Sequence, residues 1–173
     1  MKYFLIAMFF FTPTISEADR VTVRTVLTDR TTVRAYISYF KRDVKVSYRN
    51  RAVALTDKIV SISRKNGVDP FLTALMMRYE SSYQPGVIGK LGERGLMQVH
   101  PILLGSREME TIDDEIRIGV EHLSKSLDAC PSLKQSINHY MSGRCFPIYR
   151  KPEMRFNNYV NAVKIFRGED VDF

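Results

Sequence analysis

Glu80 is the residue whose type and setting most invite acid–base chemistry. It stands at the end of an apolar run, Phe71, Leu72, Leu75, Met76 and Tyr79, that repeats at helical spacing. Asp69-Pro70 ahead of that run supplies an N-cap oxygen followed by a proline at the first helical position. At 100° per residue, Glu80 falls close to Thr73, Met76 and Met77, on the margin of the buried stripe. A carboxyl there lies at the negative end of the helix macrodipole and beside apolar side chains. Both disfavour its charge and raise its pKa. Such a group can donate a proton near neutral pH, although placement alone favours a Glu on an exposed helix flank. The other reactive residue types offer less. His100, His122 and His139 show no metal-ligand spacing with either cysteine, so no metal site and no cofactor are expected. Neither Cys130 nor Cys145 stands in a context that marks a reactive thiol.

The elements that must position Glu80 read as helices. Ala52, Leu55, Ile59 and Ile62 form one stripe that ends at Asn66-Gly67, just before the helix that carries Glu80. Ser82 to Gly95 contains Pro85 and four glycines, Gly86, Gly89, Gly92 and Gly95, and reads as a tightly turning connection. Ile112, Ile116, Gly119, Val120, Leu123 and Leu127 share the face of a further helix. Another begins after Pro131 and includes Leu133, Ile137 and Tyr140. A last one covers Phe156, Tyr159, Val160, Val163 and Phe166, with Gly168 closing it. The body from residue 46 to 173 is therefore expected to be all-α, with a glycine-rich insertion after the helix bearing Glu80.

The front of the chain is different. Met1-Lys2, an apolar stretch from Tyr3 to Phe11 and the small pair Ser16 and Ala18 have the organisation of a secretory signal peptide, 1–18, cut after Ala18; an uncleaved anchor and an N-terminal strand of the domain are the alternatives. Export to the periplasm or cell wall is the corresponding expectation. Residues 19–45, in which Val21 to Tyr36 is rich in Thr, Val and Arg with partial period-two alternation, read as a basic N-terminal arm, extended or a weak strand. Residues 19–65 hold twelve Lys or Arg against four Asp, whereas 66–173 hold thirteen against fourteen acids. The chain of 173 residues, net charge +7, thus has a basic front on a nearly neutral body. That balance suits an anionic partner or surface. No apolar run approaches the ~20 residues of a spanning helix. No interleaved aromatic and basic motif marks a nucleic-acid partner, and none is expected.

Two segments then reverse the odds on Glu80. Glu80-Ser81-Ser82-Tyr83-Gln84-Pro85 is followed by Gly92-Glu93-Arg94-Gly95-Leu96-Met97-Gln98-Val99-His100-Pro101. A Glu-Ser pair ending a helix, then Gly-Leu-Met-Gln and a proline, resembles the soluble lytic transglycosylase family, whose domain is a lysozyme-like helical fold. Ile116, Gly119 and Leu123 are similar to the family's next helix. Tyr140-Met141-Ser142-Gly143 stands where Tyr-Asn-Ala-Gly is usual. The resemblance runs from about Ala52 to Phe166. It implies that Glu80 is the catalytic acid/base and that Ser81 beside it helps position the site. It implies that Met97 and Gln98 line a saccharide cleft and that the Tyr140 hydroxyl approaches the catalytic carboxyl. Met141 in place of Asn removes hydrogen-bonding capacity from one wall.

The implied reaction needs one carboxyl. The acid protonates the oxygen between N-acetylmuramic acid and N-acetylglucosamine in peptidoglycan. The resulting carboxylate takes the proton of the muramoyl 6-hydroxyl as that oxygen closes onto C1, leaving a 1,6-anhydro end. No second acid stands out as a partner: Glu93 lies in the glycine-rich stretch, and Asp113 and Asp114 suit a helix N-terminus. The alternatives are a goose-type hydrolytic lysozyme, for which two carboxylates are the usual equipment, and a non-catalytic wall-binding protein. Wall turnover, an envelope-spanning secretion or conjugation machine, and a phage are all settings for such an enzyme. Export also predicts that Cys130 and Cys145 are joined, since paired thiols in an oxidising compartment become a bridge. Mass spectrometry of the unreduced exported protein should find no alkylatable thiol; two free thiols would contradict the bridge.

Overall fold

A computed structural model describes residues 30–39 and 46–167. The signal peptide read at 1–18 and residues 19–29 and 40–45 of the basic arm lie outside these residues. The described elements are α1 (Arg30–Tyr39), α2 (Val46–Ala54), α3 (Thr56–Lys65), α4 (Pro70–Ser81), the single turn α5 (Pro101–Leu104), α6 (Ile112–Ala129), α7 (Leu133–Ser142) and α8 (Arg150–Arg167). Among the described residues there is no strand, only the isolated bridges Ile88–Arg94 and Arg94–Val99 within the connection from α4 to α5.

The helix boundaries follow local chemistry. Asp69 caps α4 by accepting the Phe71 amide at 2.9 Å, with Pro70 at the first helical position. Its second oxygen accepts the Tyr159 hydroxyl at 2.7 Å, which ties the start of α4 to the middle of α8. Both α6 and α7 open with reciprocal capping boxes, Thr111 with Asp114 and Ser132 with Gln135. Gly143 ends α7 in the left-handed region at φ +73°.

α6 packs on α3 and α7, α7 packs on α8, and α8 returns against α1 and α4. One core runs through all of these, centred on Phe71, Leu72, Leu75 and Met76 of α4, Ile116 and Leu123 of α6, and Ile137 of α7. α4 is buried on nearly every side, so it serves as the axis of the bundle. A disulfide joins Cys130 at the end of α6 to Cys145 beyond α7. Closing a loop of that separation, 15 residues, stabilises by roughly 3 kcal/mol in the chain-entropy model.

The extended reading of the arm does not hold over residues 30–39, which form α1. Val33, Tyr36 and Ile37 stand at helical spacing and are fully buried in the main core. Tyr36 packs 4.4 Å from Phe71, ring centre to ring centre, and edge-on to Phe166 at 5.8 Å. The strand preference of the Thr and Val residues is outweighed by that aromatic cluster, because propensity is weak against tertiary packing. The folded unit therefore reaches back at least to Arg30, ahead of the boundary placed at residue 46. Tyr36→Ala should cost about 3 kcal/mol or more, as other buried aromatic truncations do. A shifted denaturant midpoint would show this, and an unchanged midpoint would mean that α1 is a passenger.

Candidate active site

Glu80 lies in the last turn of α4, where the chain reverses. Ser82 and Tyr83 follow in succession with φ of +52° and +60°, a conformation that L residues enter only at a cost. The reversal is held because Tyr83 turns back under α4, fully buried, with its hydroxyl donating to the Ala74 carbonyl at 2.8 Å. The chain then runs without a helix to Pro101, and this connection forms one wall of a cleft of about 370 Å³. Glu80, Glu93, Gln98, His122, Tyr140 and Met141 all face that space.

The Glu80 side chain is 16% exposed, so the solvated-flank alternative fails. Burial raises its pKa, opposed by the guanidinium of Arg155 from α8, which ion-pairs with Oε1; the balance remains above the ordinary carboxyl value. Arg155 sits 75 positions from Glu80, and nothing local in the sequence marks it.

The five residues implied as a site separate into two groups. Glu80, Gln98 and Tyr140 line the cleft. Ser81 and Met97 stand behind its wall. Ser81 is buried, and its hydroxyl donates to the Leu96 carbonyl at 2.8 Å, tying the end of α4 to the returning loop. Met97 is fully buried against Gly119 of α6, where an added Cβ would come within 2.6 Å of its sulfur. Gln98, at φ +46°, spends its amide nitrogen on the carbonyls of Val87 and Gly95, at 3.0 and 2.9 Å. The side-chain oxygen remains for a ligand, so the expected donor-and-acceptor role reduces to an acceptor. The Tyr140 hydroxyl donates to the Met97 carbonyl at 2.6 Å, not to Glu80. It does lie within the field of Glu80: burial, and then that charge, lift the phenol well above its ordinary range. Met141 stands on the cleft wall, which is apolar there.

Glu115 is the structural residue that the sequence reading missed. It lies in the first turn of α6, buried, and accepts the amides of Gly86 at 2.9 Å and Leu96 at 2.8 Å. It thereby closes both ends of the loop on one carboxylate. Its pKa is raised by burial, against which the two amide bonds work. Gly95, at φ +78°, passes so close that an added Cβ would lie 2.9 Å from the Glu115 side chain. The adjacent Asp113 and Asp114 are indeed helix-start residues, Asp113 pairing with Lys58 and Asp114 closing the capping box. Among the described residues, no group of three or more His, Cys, Asp or Glu is placed to hold a metal ion.

Residues 57–146 match the family model for the transglycosylase SLT domain, more than half of the chain. The chain belongs to that family. A search of curated proteins finds no match. The matched span holds Glu80, the loop, α6 and α7, and stops short of α8 and Arg155.

Glu115→Gln replaces one accepting oxygen by a donor that faces amide N–H groups. It should destabilise by about 1–3 kcal/mol, the cost of a buried unsatisfied group. It should also quicken amide exchange at Gly86 and Leu96 ahead of the helices. Exchange slowed as in the wild type at both amides would remove Glu115 from the role of clamp.

Proposed function

We propose that the chain is a peptidoglycan lytic transglycosylase with Glu80 acting first as acid and then as base. The observation that carries this reading is the Glu80 carboxyl itself: it faces a cleft, and burial raises its pKa while a cation keeps ionisation accessible. As the acid it protonates the glycosidic oxygen between N-acetylmuramic acid and N-acetylglucosamine. As the carboxylate it takes the proton from the muramoyl 6-hydroxyl while that oxygen bonds to C1, and the 1,6-anhydro ring forms without water. Gln98 offers its side-chain oxygen to a sugar hydroxyl or acetamido N–H, while Ser81, Met97 and Tyr140 hold the wall in place.

The reading includes export, with residues 1–18 removed and action in the periplasm or wall. The positive excess of residues 19–65 suits attachment to anionic wall carboxylates or an anionic partner, through attraction screened over ~8 Å at physiological salt. No described helix is long and apolar enough to cross a membrane.

One observation favours a hydrolytic second reading: Glu93 faces the same cleft as Glu80. Against it, one Glu93 oxygen is held by the Leu91 amide at 3.0 Å, a bond that orders the loop. Muropeptides released from purified sacculi separate the readings: anhydro ends for a transglycosylase, reducing ends for a lysozyme, no release for a binding protein. Glu80→Gln should lower release by at least the 10²–10⁴-fold attributed to acid–base catalysis. Glu93→Gln should keep the anhydro product. Near-wild-type turnover in Glu80→Gln would defeat the assignment, and loss of activity in Glu93→Gln with reducing ends from the wild type would establish the hydrolytic reading.

A further inference from the structure

Arg155 is costly where it stands. Its side chain is 9% exposed, its Nη1 donates to Oε1 of Glu80, and its Nε is buried with no partner among the described residues. The guanidinium lies over the Tyr79 ring, 5.3 Å from its centre, and the Tyr79 hydroxyl accepts from Asn158 one turn further along α8. Two helices thus combine to fix one cation against one carboxylate. Buried ion pairs of this kind add little net stability, because desolvation offsets the Coulomb attraction. An imperfectly satisfied arginine held against a carboxylate that faces a cleft is better explained by what it does to its partner.

We propose that Arg155 is a positioning residue for Glu80: it holds the carboxyl in one orientation at the cleft and keeps it able to release its proton, so that a single group can serve in both proton transfers. The catalytic consequence rests on the reading of Glu80 given above; the hold of Arg155 on the carboxyl does not.

Other charged and titratable groups surround Glu80. Lys151 comes from α8, Lys90 and Glu93 from the loop, His100 from the start of α5, His122 from α6 and Tyr140 from α7. Among the described residues only Arg155 bonds to the carboxylate. Burial drives Glu80 toward the protonated form, and Arg155 is the largest influence in the other direction. Without it, burial is opposed only weakly, by Lys151, and Glu93 adds to its effect. A carboxyl that keeps its proton through the neutral range is a weak donor and cannot act as the base.

The test is a titration of the full chain carrying carboxyl-13C glutamate, with the Glu80 resonance assigned through Glu80→Gln. Wild type, Arg155→Met and Arg155→Lys are compared, and Arg155→Gln runs beside them in case the methionine variant does not fold. The Glu80 midpoint should rise by about 1–3 units when the charge is lost, the range over which an adjacent arginine moves a carboxyl. Lysine should restore most of it. His122, whose pKa burial lowers, faces the same cleft, so the carboxyl resonance is the primary readout. An unmoved midpoint in a folded variant lacking the charge would overturn the proposal, because an arginine of purely structural value would leave it there. The alkaline limb of glycan cleavage should move in the same order. A midpoint that moves while the limb stays would support the hold of Arg155 and count against Glu80 as the acid.

Discussion

The wall of the cleft depends on one buried carboxylate set back from the cleft itself. Glu115 sits where the N-terminal dipole of α6 favours negative charge, and it accepts two amides from positions ten residues apart, Gly86 and Leu96. The segment between them has no helix and little core of its own. Its backbone pairs internally only in part, as at the Ile88–Arg94 bridge, and the remaining groups must find partners elsewhere or stay in water. A single two-oxygen acceptor meets that need at both ends, and the α4–α5 connection becomes a wall.

Other side chains of the site region serve the same end. Ser81 donates to Leu96, Tyr140 donates to Met97, and the Gln98 amide donates to Val87 and Gly95. In each case a side chain satisfies a backbone carbonyl of the loop. Glycine is needed at two of these approaches: a Cβ at Gly95 would strike Glu115, and one at Gly119 would strike Met97. The Gly-Leu-Met-Gln segment is thus largely a device for seating the wall on α6 and α7, and Gln98 is its one member that faces the cleft. A specific sequence motif need not be a set of substrate contacts; much of it can be the geometry that holds one acid in place.

What was legible in the sequence was whatever is encoded locally. The stripes of α3, α4, α6 and α7, the Asp69-Pro70 start and the role of Asp114 all follow from neighbours within a turn or two. Glu80 was legible from its place at the end of α4 and the segments that follow it. The remainder depends on distance. α1 is rich in residues that prefer strands, and only the packing of Tyr36 against Phe71 and Phe166, far along the chain, decides its state. Glu115 is one of three consecutive acids in the first turn of α6, and only the approach of the loop distinguishes it from Asp113 and Asp114. Arg155 carries no mark in the sequence around it, and only the packing of α8 against α4 sets it beside Glu80.

The same distinction bears on the one-carboxyl mechanism proposed for Glu80. A group that gives a proton and then takes one is best placed with a pKa near the working pH, where neither form is strongly preferred. A carboxyl in water lies too low for that, and one buried alone lies too high. Two opposed influences act on Glu80, and burial is the larger, so its pKa stays raised. Here the first is burial, supplied at the end of α4 by the wall that Glu115 holds. The second is a guanidinium, brought from α8 by the helix packing that starts at the Asp69–Tyr159 bond. Neither influence is local to Glu80, so the acid at the cleft is a property of the tertiary fold before it is a property of the motif.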